Sequence, residues 1–283
     1  SEGAQRRSQY TGVVMKALVG AMRDRARNPF AAHRLAWTLS GNLGVDDGTG
    51  LLDLATLGGT AARSGAERRD EWSDLDFNIF FTPEADRHHR DAWPFLPEPE
   101  RIVLRAREGA DGGVVIYDDG VLLEFGAGQP WPISDPERDT ALDGGDLILA
   151  PPPRPPRPDN AVRLFLAKLF IGVGRYRRGE HIAAHAHVRA HALAQLCWVL
   201  RLRLAPDRPG SPYDPTRRFE RALPDLAGEI GLLLDEGLEV CARGLFDVAR
   251  RELEPGWTEF PSAAADTIAR RLGWDFYPTR CDD

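Results

Sequence analysis

The clearest hydrophobic pattern in this chain lies between Leu51 and Phe81, where two apolar stretches flank a glycine pair and a polar segment. The first stretch, Leu51–Leu57, ends at Gly58-Gly59, which is typical of a strand that runs into a tight turn. The second opens with Asp74 and Asp76 on either side of an apolar residue. Because residues two apart in a strand point to the same face, the pattern predicts that these carboxylates project together.

The hydrophobic pattern predicts further elements on both sides of this stretch. Periodic apolar positions favour helices over residues 10–27 and 31–39. Asp118-Asp119-Gly120 separates the apolar runs Val114–Tyr117 and Val121–Phe125, which indicates a β-hairpin. Residues 101–107 and 146–150 are predicted to form two more short strands.

A proline-rich segment, Pro151–Pro158, has the sequence PPPRPPRP, which favours an extended, semi-rigid linker. Beyond it the apolar spacing is helical, and it predicts helices over residues 160–178, 181–204, 217–222, 226–234, 238–253 and 263–272. We therefore predict an α/β (α+β) mixed sheet domain over residues 1–150, a linker over 151–158 and an all-helical domain over 159–283.

Composition limits the classes of function. With 283 residues and 42% hydrophobic residues the chain is long enough for a sizeable core and is typical of globular proteins. The formal net charge of −7 argues against a partner that is nucleic acid and suits a cationic small molecule. No apolar run spans a bilayer and no signal peptide is visible, so we expect no membrane partner. The three cysteines are scattered along the chain, and we expect them to be reduced thiols of a cytoplasmic protein.

Paired carboxylates on one strand repel each other unless a cation lies between them. Oxygen ligands of this kind suit Mg²⁺, which proteins hold through one or two carboxylates together with substrate phosphates. The glycine pair upstream lets backbone N–H groups approach an anion, and Thr60 and Ser64 add hydroxyl donors. The combination indicates metal-assisted phosphoryl or nucleotidyl transfer.

These residues resemble the signature of the DNA polymerase β-like nucleotidyltransferase superfamily. The resemblance is carried by Gly58-Gly59, Arg63-Ser64 and the run Trp72-Ser73-Asp74-Leu75-Asp76, and its specific part covers residues 51–125. Within the superfamily the chain looks most like the antibiotic nucleotidyltransferases that adenylylate aminoglycosides or lincosamides. It departs from the usual Gly-Ser pair at Gly59, which removes one hydroxyl from the phosphate cradle.

The resemblance implies a role for each matching residue. Asp74, Asp76 and Glu124 would be the catalytic and metal-ligating carboxylates, with Glu124 either completing a site for one or two Mg²⁺ ions or taking the proton of the acceptor hydroxyl. ATP would be the donor and AMP the group transferred. The nucleotide would be bound by Gly58, Gly59, Thr60, Arg63, Ser64 and two residues of the first helix after the sheet, Lys168 and Tyr176.

Several alternatives stay open. A protein-modifying nucleotidyltransferase of the toxin–antitoxin kind would share the same signature, and so would a non-catalytic nucleotide-binding regulatory protein. His181, His185, His187 and His191 invite a zinc interpretation, but the two i, i+4 pairs fall on largely different helix faces, so we assign no zinc. The acceptor, the hydroxyl that is modified and the oligomeric state are not determined by the sequence.

Overall fold

The computed structural model describes residues 52–58, 75–81, 93, 96, 99–129, 131–133, 139–143, 148, 150–208 and 210–274. The chain divides into two compact units, Ser1–Pro152 and Pro153–Asp283. The described strands all lie in the first unit, and the described part of the second unit contains helices without strands. The protein is therefore of mixed α/β class.

The described strands of the first unit form one six-stranded sheet with the order β3-β4-β5-β2-β1-β6. Its strands are β1 Leu52–Gly58, β2 Leu75–Phe81, β3 Ile102–Glu108, β4 Gly112–Tyr117, β5 Leu122–Gly128 and β6 Asp139–Asp143. All neighbouring strands pair antiparallel except β2 and β5, which run parallel. The sheet is consequently mixed, and β2 is held between β1 and β5 in its interior.

Alternation along β5 separates the two faces of the sheet. Leu123, Phe125 and Ala127 are buried, whereas Glu124 between them is exposed. On the buried face the ring of Trp93 meets the ring of Phe125 edge to face, with centroids 5.0 Å apart. The opposite face carries Glu124 and its register partner Asp76, and we call it the carboxylate face.

The sequence predicted most of these strands to within a residue or two. The hairpin prediction is confirmed, because Gly120 has a φ of +82° and joins β4 to β5. Of the strand predicted over 146–150, only Ile148 and Ala150 lie within the described residues, and both form backbone hydrogen bonds with Ile133, of 2.9 and 3.0 Å. The strand itself stays a prediction. The sixth described strand, β6, was not predicted, because its polar sequence DTALD has little of the alternation of hydrophobic and polar residues that is typical of strands. The helices predicted over residues 10–27 and 31–39 lie outside the described residues.

The second unit begins with an irregular, largely exposed proline segment and continues as helices. These are α1 Pro158–Arg177, α2 His181–His185, a π-helical segment Ala186–Ala192, α3 Leu193–Leu204, α4 Phe219–Ala222, α5 Pro224–Asp235, α6 Leu238–Leu253 and α7 Ser262–Leu272. The predicted helices are confirmed in position. The single helix predicted over 181–204 is confirmed as helical throughout, with the π-helical segment Ala186–Ala192 between α2 and α3, which apolar periodicity does not reveal.

Helix α1 packs closely against the π-helical segment because it has a glycine at the contact. A Cβ on Gly172 would lie 2.6 Å from Cγ2 of Val188 and 3.1 Å from Cβ of His187, which is closer than side chains tolerate. The contact therefore requires glycine at this position. At the end of α1 the backbone turns at Gly179, whose φ is +81°, and Arg178 donates a 2.9 Å hydrogen bond to the Glu180 carboxylate.

Arginine side chains form hydrogen bonds to the loops and helix ends of the second unit. Arg177 at the end of α1 donates two hydrogen bonds, of 2.9 and 2.8 Å, to the Glu239 carboxylate on α6 and a third of 2.9 Å to the carbonyl of Leu272 on α7. Arg201 on α3 is only 2% exposed and donates to three carbonyls of the following loop. These contacts join helices that are far apart in sequence, so the helical unit is fixed by tertiary contacts as well as by its core.

Candidate functional site

Three of the residues singled out in the sequence lie in one row across the sheet. Gly58 is the last residue of β1 and pairs with Asp76 on β2, which in turn pairs with Glu124 on β5. Neighbouring strands are about 4.8 Å apart, so this row places the backbone of Gly58 and two acidic residues within about 10 Å. Register partners in the parallel pair occupy the same face, so Asp76 and Glu124 both belong to the carboxylate face.

Glu124 is accessible to a ligand on the carboxylate face. It is exposed, although the residues before and after it along β5 are buried, and its partner on β4 is the half-buried Val114. Asp118 and Asp119, the other carboxylates of this hairpin, lie in its turn, where Arg101 contacts them at 2.6 and 3.0 Å. The hydrogen bond from Arg101 lowers the pKa of Asp118. These two aspartates therefore stabilise the turn, as the sequence indicated.

The remaining predicted residues of the first unit cannot be placed in the row. Gly59, Thr60, Arg63, Ser64 and Asp74 lie outside the described residues. Asp74 precedes β2 by one residue in the sequence. Their roles in binding nucleotide and metal stay predictions.

Sequence reasoning missed an aromatic residue on the carboxylate face. Asn78 and Gly126 form the row after Asp76 and Glu124, and the half-buried Trp131 lies over Gly126. A Cβ on Gly126 would lie 2.6 Å from both Oδ1 of Asn78 and Cζ2 of Trp131. The same indole meets the buried ring of Phe80 edge to face, with centroids 4.5 Å apart. The alternating glycines of the β5 sequence LLEFGAG were the available signal, because they mark strand positions where another group approaches the backbone.

The two predicted nucleotide-binding residues of the second unit, Lys168 and Tyr176, are both half-buried on α1. The ring of Tyr176 meets the His181 ring at a centroid distance of 4.7 Å. Lys168 belongs to a cationic cluster with Arg175, His187 and His191, in which the two imidazoles are 5.5 Å apart.

His187 is the most constrained member of this cluster. Its pKa is lowered, chiefly by burial and further by the positive charges of Arg175, His191 and Lys168. Its Nδ1 atom is buried and makes no hydrogen bond among the described residues. Lys168 and Arg175 give this cluster the positive charge that an anion requires.

The donor set of the first unit suits a hard cation. Asp76 and Glu124 are register partners on adjacent strands, and carboxylate oxygens are the ligands that Mg²⁺ prefers. Among the described side chains, no group of three or more His, Cys, Asp and Glu residues is placed to hold a metal. Asp74 lies outside that part of the chain and the Asp76 side chain is not described, so the predicted metal site stays a prediction.

Comparison with known proteins gives little further information. No protein-family model matches the chain, and no curated protein matches it. Among solved structures it is similar to the crystal structure of an aminoglycoside 6-adenyltransferase from Bacillus subtilis, with 13% sequence identity, a TM-score of 0.31, and coverage of 80% of this chain and 86% of that chain. A TM-score this low does not establish a common fold. None of the described helices is long and apolar enough to cross a bilayer.

Proposed function

We propose that this protein is a Mg²⁺-dependent nucleotidyltransferase that moves AMP from ATP to a hydroxyl group of a small molecule. The observation that carries the proposal is the row formed by Gly58, Asp76 and Glu124 on three adjacent strands. A glycine pair that begins at the end of β1, beside two acidic residues in register, would supply the components that nucleotidyl transfer needs, an anion cradle and a cation site. The signature residues of the sequence around Asp74 support the same chemistry.

Asp74, Asp76 and Glu124 would hold the cation through carboxylate oxygens. Mg²⁺ bound there supplies charge neutralisation at the phosphates. The backbone of Gly58 and Gly59, with Thr60, Arg63 and Ser64, would bind the β- and γ-phosphates. We assign Glu124, which is exposed on β5, to the acceptor side of the reaction.

The proposed reaction is an in-line displacement at the α-phosphorus of ATP. The acceptor hydroxyl oxygen forms a bond to this phosphorus while the bond to the bridging oxygen of the pyrophosphate breaks. The hydroxyl proton passes to a carboxylate, for which Glu124 is the candidate if it is not itself a metal ligand. The products are an adenylylated acceptor and pyrophosphate.

The cationic cluster around Lys168 supports a nucleotide role for the second unit. Lys168 and Arg175 provide positive charge on one side of α1, and Tyr176 follows on the same helix. A lysine and an arginine in such a cluster suit the phosphates of a nucleotide. We propose Lys168 and Tyr176 as nucleotide-binding residues.

The proposal is tested by measuring pyrophosphate release from Mg²⁺-ATP with a panel of aminoglycosides and lincosamides. We expect acceptor-dependent release by the parent protein and its loss in Asp76→Asn. Asp118→Asn is the matched control, since it changes an aspartate of the same sheet unit that lies in the hairpin turn. It should retain activity.

Three other outcomes would point elsewhere. ATP binding without release for any small acceptor would favour a protein acceptor, which labelling of a cell extract with α-phosphate-labelled ATP would reveal. ATP binding without any labelling would favour the non-catalytic regulatory alternative. Absence of ATP binding would exclude all of these functions.

A further inference from the structure

The indole of Trp131 is placed beside the candidate reaction centre on the carboxylate face. The row of Asn78 and Gly126 follows the row of Asp76 and Glu124 along the same strands. Two residues along a strand span about 6.6 Å, so Gly126, which the indole covers, is about this distance from Glu124 along the backbone of β5. A group bound against this ring could belong to a molecule that also reaches Glu124.

Neighbouring backbone and side chains hold the ring in place. Its six-membered ring lies against Gly126 and Gly128, where an added Cβ would come within 2.6 and 3.4 Å of ring atoms. Oδ1 of Asn78 lies near Gly126, the Asp111 carboxylate lies near Gly128, and the Phe80 ring meets the indole edge to face. A ring fixed by the backbone and by another aromatic ring loses little conformational entropy when a ligand binds.

The strand order indicates which substrate would meet this ring. The glycine turn that would hold the leaving pyrophosphate is on β1, on one side of β2, whereas Gly126 and Gly128 are on β5, on the other side. In-line displacement requires the attacking hydroxyl to approach from the side opposite the leaving group. The ring therefore lies on the acceptor's side of the reaction centre.

The charges around the ring indicate the chemistry of the acceptor. Glu124 and Asp76 precede it on the carboxylate face, and the Asp111 carboxylate flanks it. The face of an indole attracts ammonium groups, and nearby carboxylates add to that attraction. Together these groups favour a ligand that carries amines as well as hydroxyls.

We propose that Trp131 determines acceptor specificity by forming an aromatic wall for an amine-bearing acceptor. The inference deepens the proposed nucleotidyl transfer and rests on it for the identity of the reaction. Trp131 is assigned to binding and positioning of the acceptor, with no part in the chemical step.

The test compares the parent with Trp131→Leu and Trp131→Phe in pyrophosphate release, with kanamycin as acceptor. Losing a cation–π contact should raise the KM for kanamycin about tenfold in Trp131→Leu, with the KM for ATP unchanged. Trp131→Phe should restore most of the affinity, because it keeps an aromatic face. With kanamycin acetylated on its amines, the difference between parent and Trp131→Leu should fall to about twofold or less.

A purely structural role for Trp131 would give a different pattern. Trp274→Leu is the matched control, since Trp274 is also half-buried and its ring meets Phe246 at 5.3 Å. It should lower thermal stability without changing the KM for kanamycin. Equal rises in the KM values for ATP and kanamycin, an unchanged KM for kanamycin, or an undiminished effect with the acetylated form would each overturn the inference.

Calorimetric titration of kanamycin without nucleotide separates this inference from the proposed reaction. If no acceptor releases pyrophosphate, the proposed function fails. Weaker kanamycin binding by Trp131→Leu than by the parent would still support the aromatic wall. Equal binding by the two proteins, or no binding by the parent, would overturn it.

Discussion

Asp76 on β2 and Glu124 on β5 are direct register partners in the parallel strand pair of the sheet. They are 48 residues apart in the sequence and come from strands joined through β3 and β4. Parallel pairing places both on the carboxylate face about 4.8 Å apart at the backbone, which is close enough for two such residues to bind one cation.

Removing either acidic residue should abolish most of the proposed activity. We expect Asp76→Asn and Glu124→Gln each to lower kcat on the order of 10²–10³-fold, since each removes charge from the reaction centre while keeping the side-chain size. Steady-state pyrophosphate release measures this loss. Activity within about tenfold of the parent in either variant would contradict the role of that residue.

The residual activity of Glu124→Gln can separate its two candidate roles. A metal ligand is indicated if the variant needs a higher Mg²⁺ concentration for half-maximal rate. A general base is indicated if the Mg²⁺ requirement stays the same and the rate no longer falls at low pH, because the group that must be deprotonated has been removed.

Gly126 should not tolerate a methyl group. In Gly126→Ala the added Cβ would meet Oδ1 of Asn78 and the Trp131 ring at 2.6 Å, so either the ring or the strand must shift. We expect a loss of about 1–3 kcal/mol in the free energy of unfolding. Urea denaturation measures it.

Gly228 on α5 provides the matched control for this substitution. An added Cβ there meets nothing within 4 Å. Gly228→Ala should therefore stabilise the protein by about 0.5–1 kcal/mol, because it only reduces the conformational freedom of the unfolded chain. A loss of stability in both variants would show that the packing over Gly126 is not the cause.

Arg201 should be essential to the fold of the second unit. Its guanidinium donates to the carbonyls of Pro215, Arg208 and Arg217 at 2.9, 3.1 and 3.0 Å and lies 5.3 Å from the Phe219 ring centroid. Arg201→Met leaves these carbonyls without their donor, and we expect a loss of about 2–4 kcal/mol in urea denaturation.

Arg203, two residues further along α3, is the control for Arg201. It is exposed and lies 4.7 Å from the centroid of Trp257, so Arg203→Met should cost less than about 1 kcal/mol. If the two substitutions destabilise equally, the buried hydrogen bonds of Arg201 do not account for its effect.

His187 should make the stability of the protein depend on pH. Its pKa is lowered in the folded state, first by burial and then by Arg175, His191 and Lys168, so the unfolded chain binds a proton more readily. Stability is then fully present above the unfolded pKa of about 6.5 and is lost as pH falls below it. Thermal unfolding at pH 7.5 and 5.5 measures the loss.

The substitution His187→Gln should reduce this loss, because glutamine does not titrate. His185→Gln, at an exposed position on α2, should leave the pH dependence as in the parent. An undiminished loss at pH 5.5 in His187→Gln would assign the effect to other groups.

Much of the candidate site followed from local sequence. The apolar run ending at Gly58, the alternation around Asp76 and the turn residues at Asp118-Asp119-Gly120 each specify local structure. They predicted β1, β2 and the β4–β5 hairpin, whereas Glu124 was indicated by the family resemblance. The polar strand β6 and the π-helical segment Ala186–Ala192 were not predicted, since neither changes the hydrophobic period enough to be recognised.

The sequence by itself determined the class of elements, the glycine turn and the carboxylates, because these depend on periodicity and turn chemistry within a few residues. Tertiary structure decided which strands are neighbours, and therefore that Gly58, Asp76 and Glu124 share one row. It also decided that Trp131 covers Gly126 and that Arg201 binds the loop carbonyls. Such contacts depend on strand order and on packing between segments that are distant in the sequence, and a pattern within a few residues does not predict either of these.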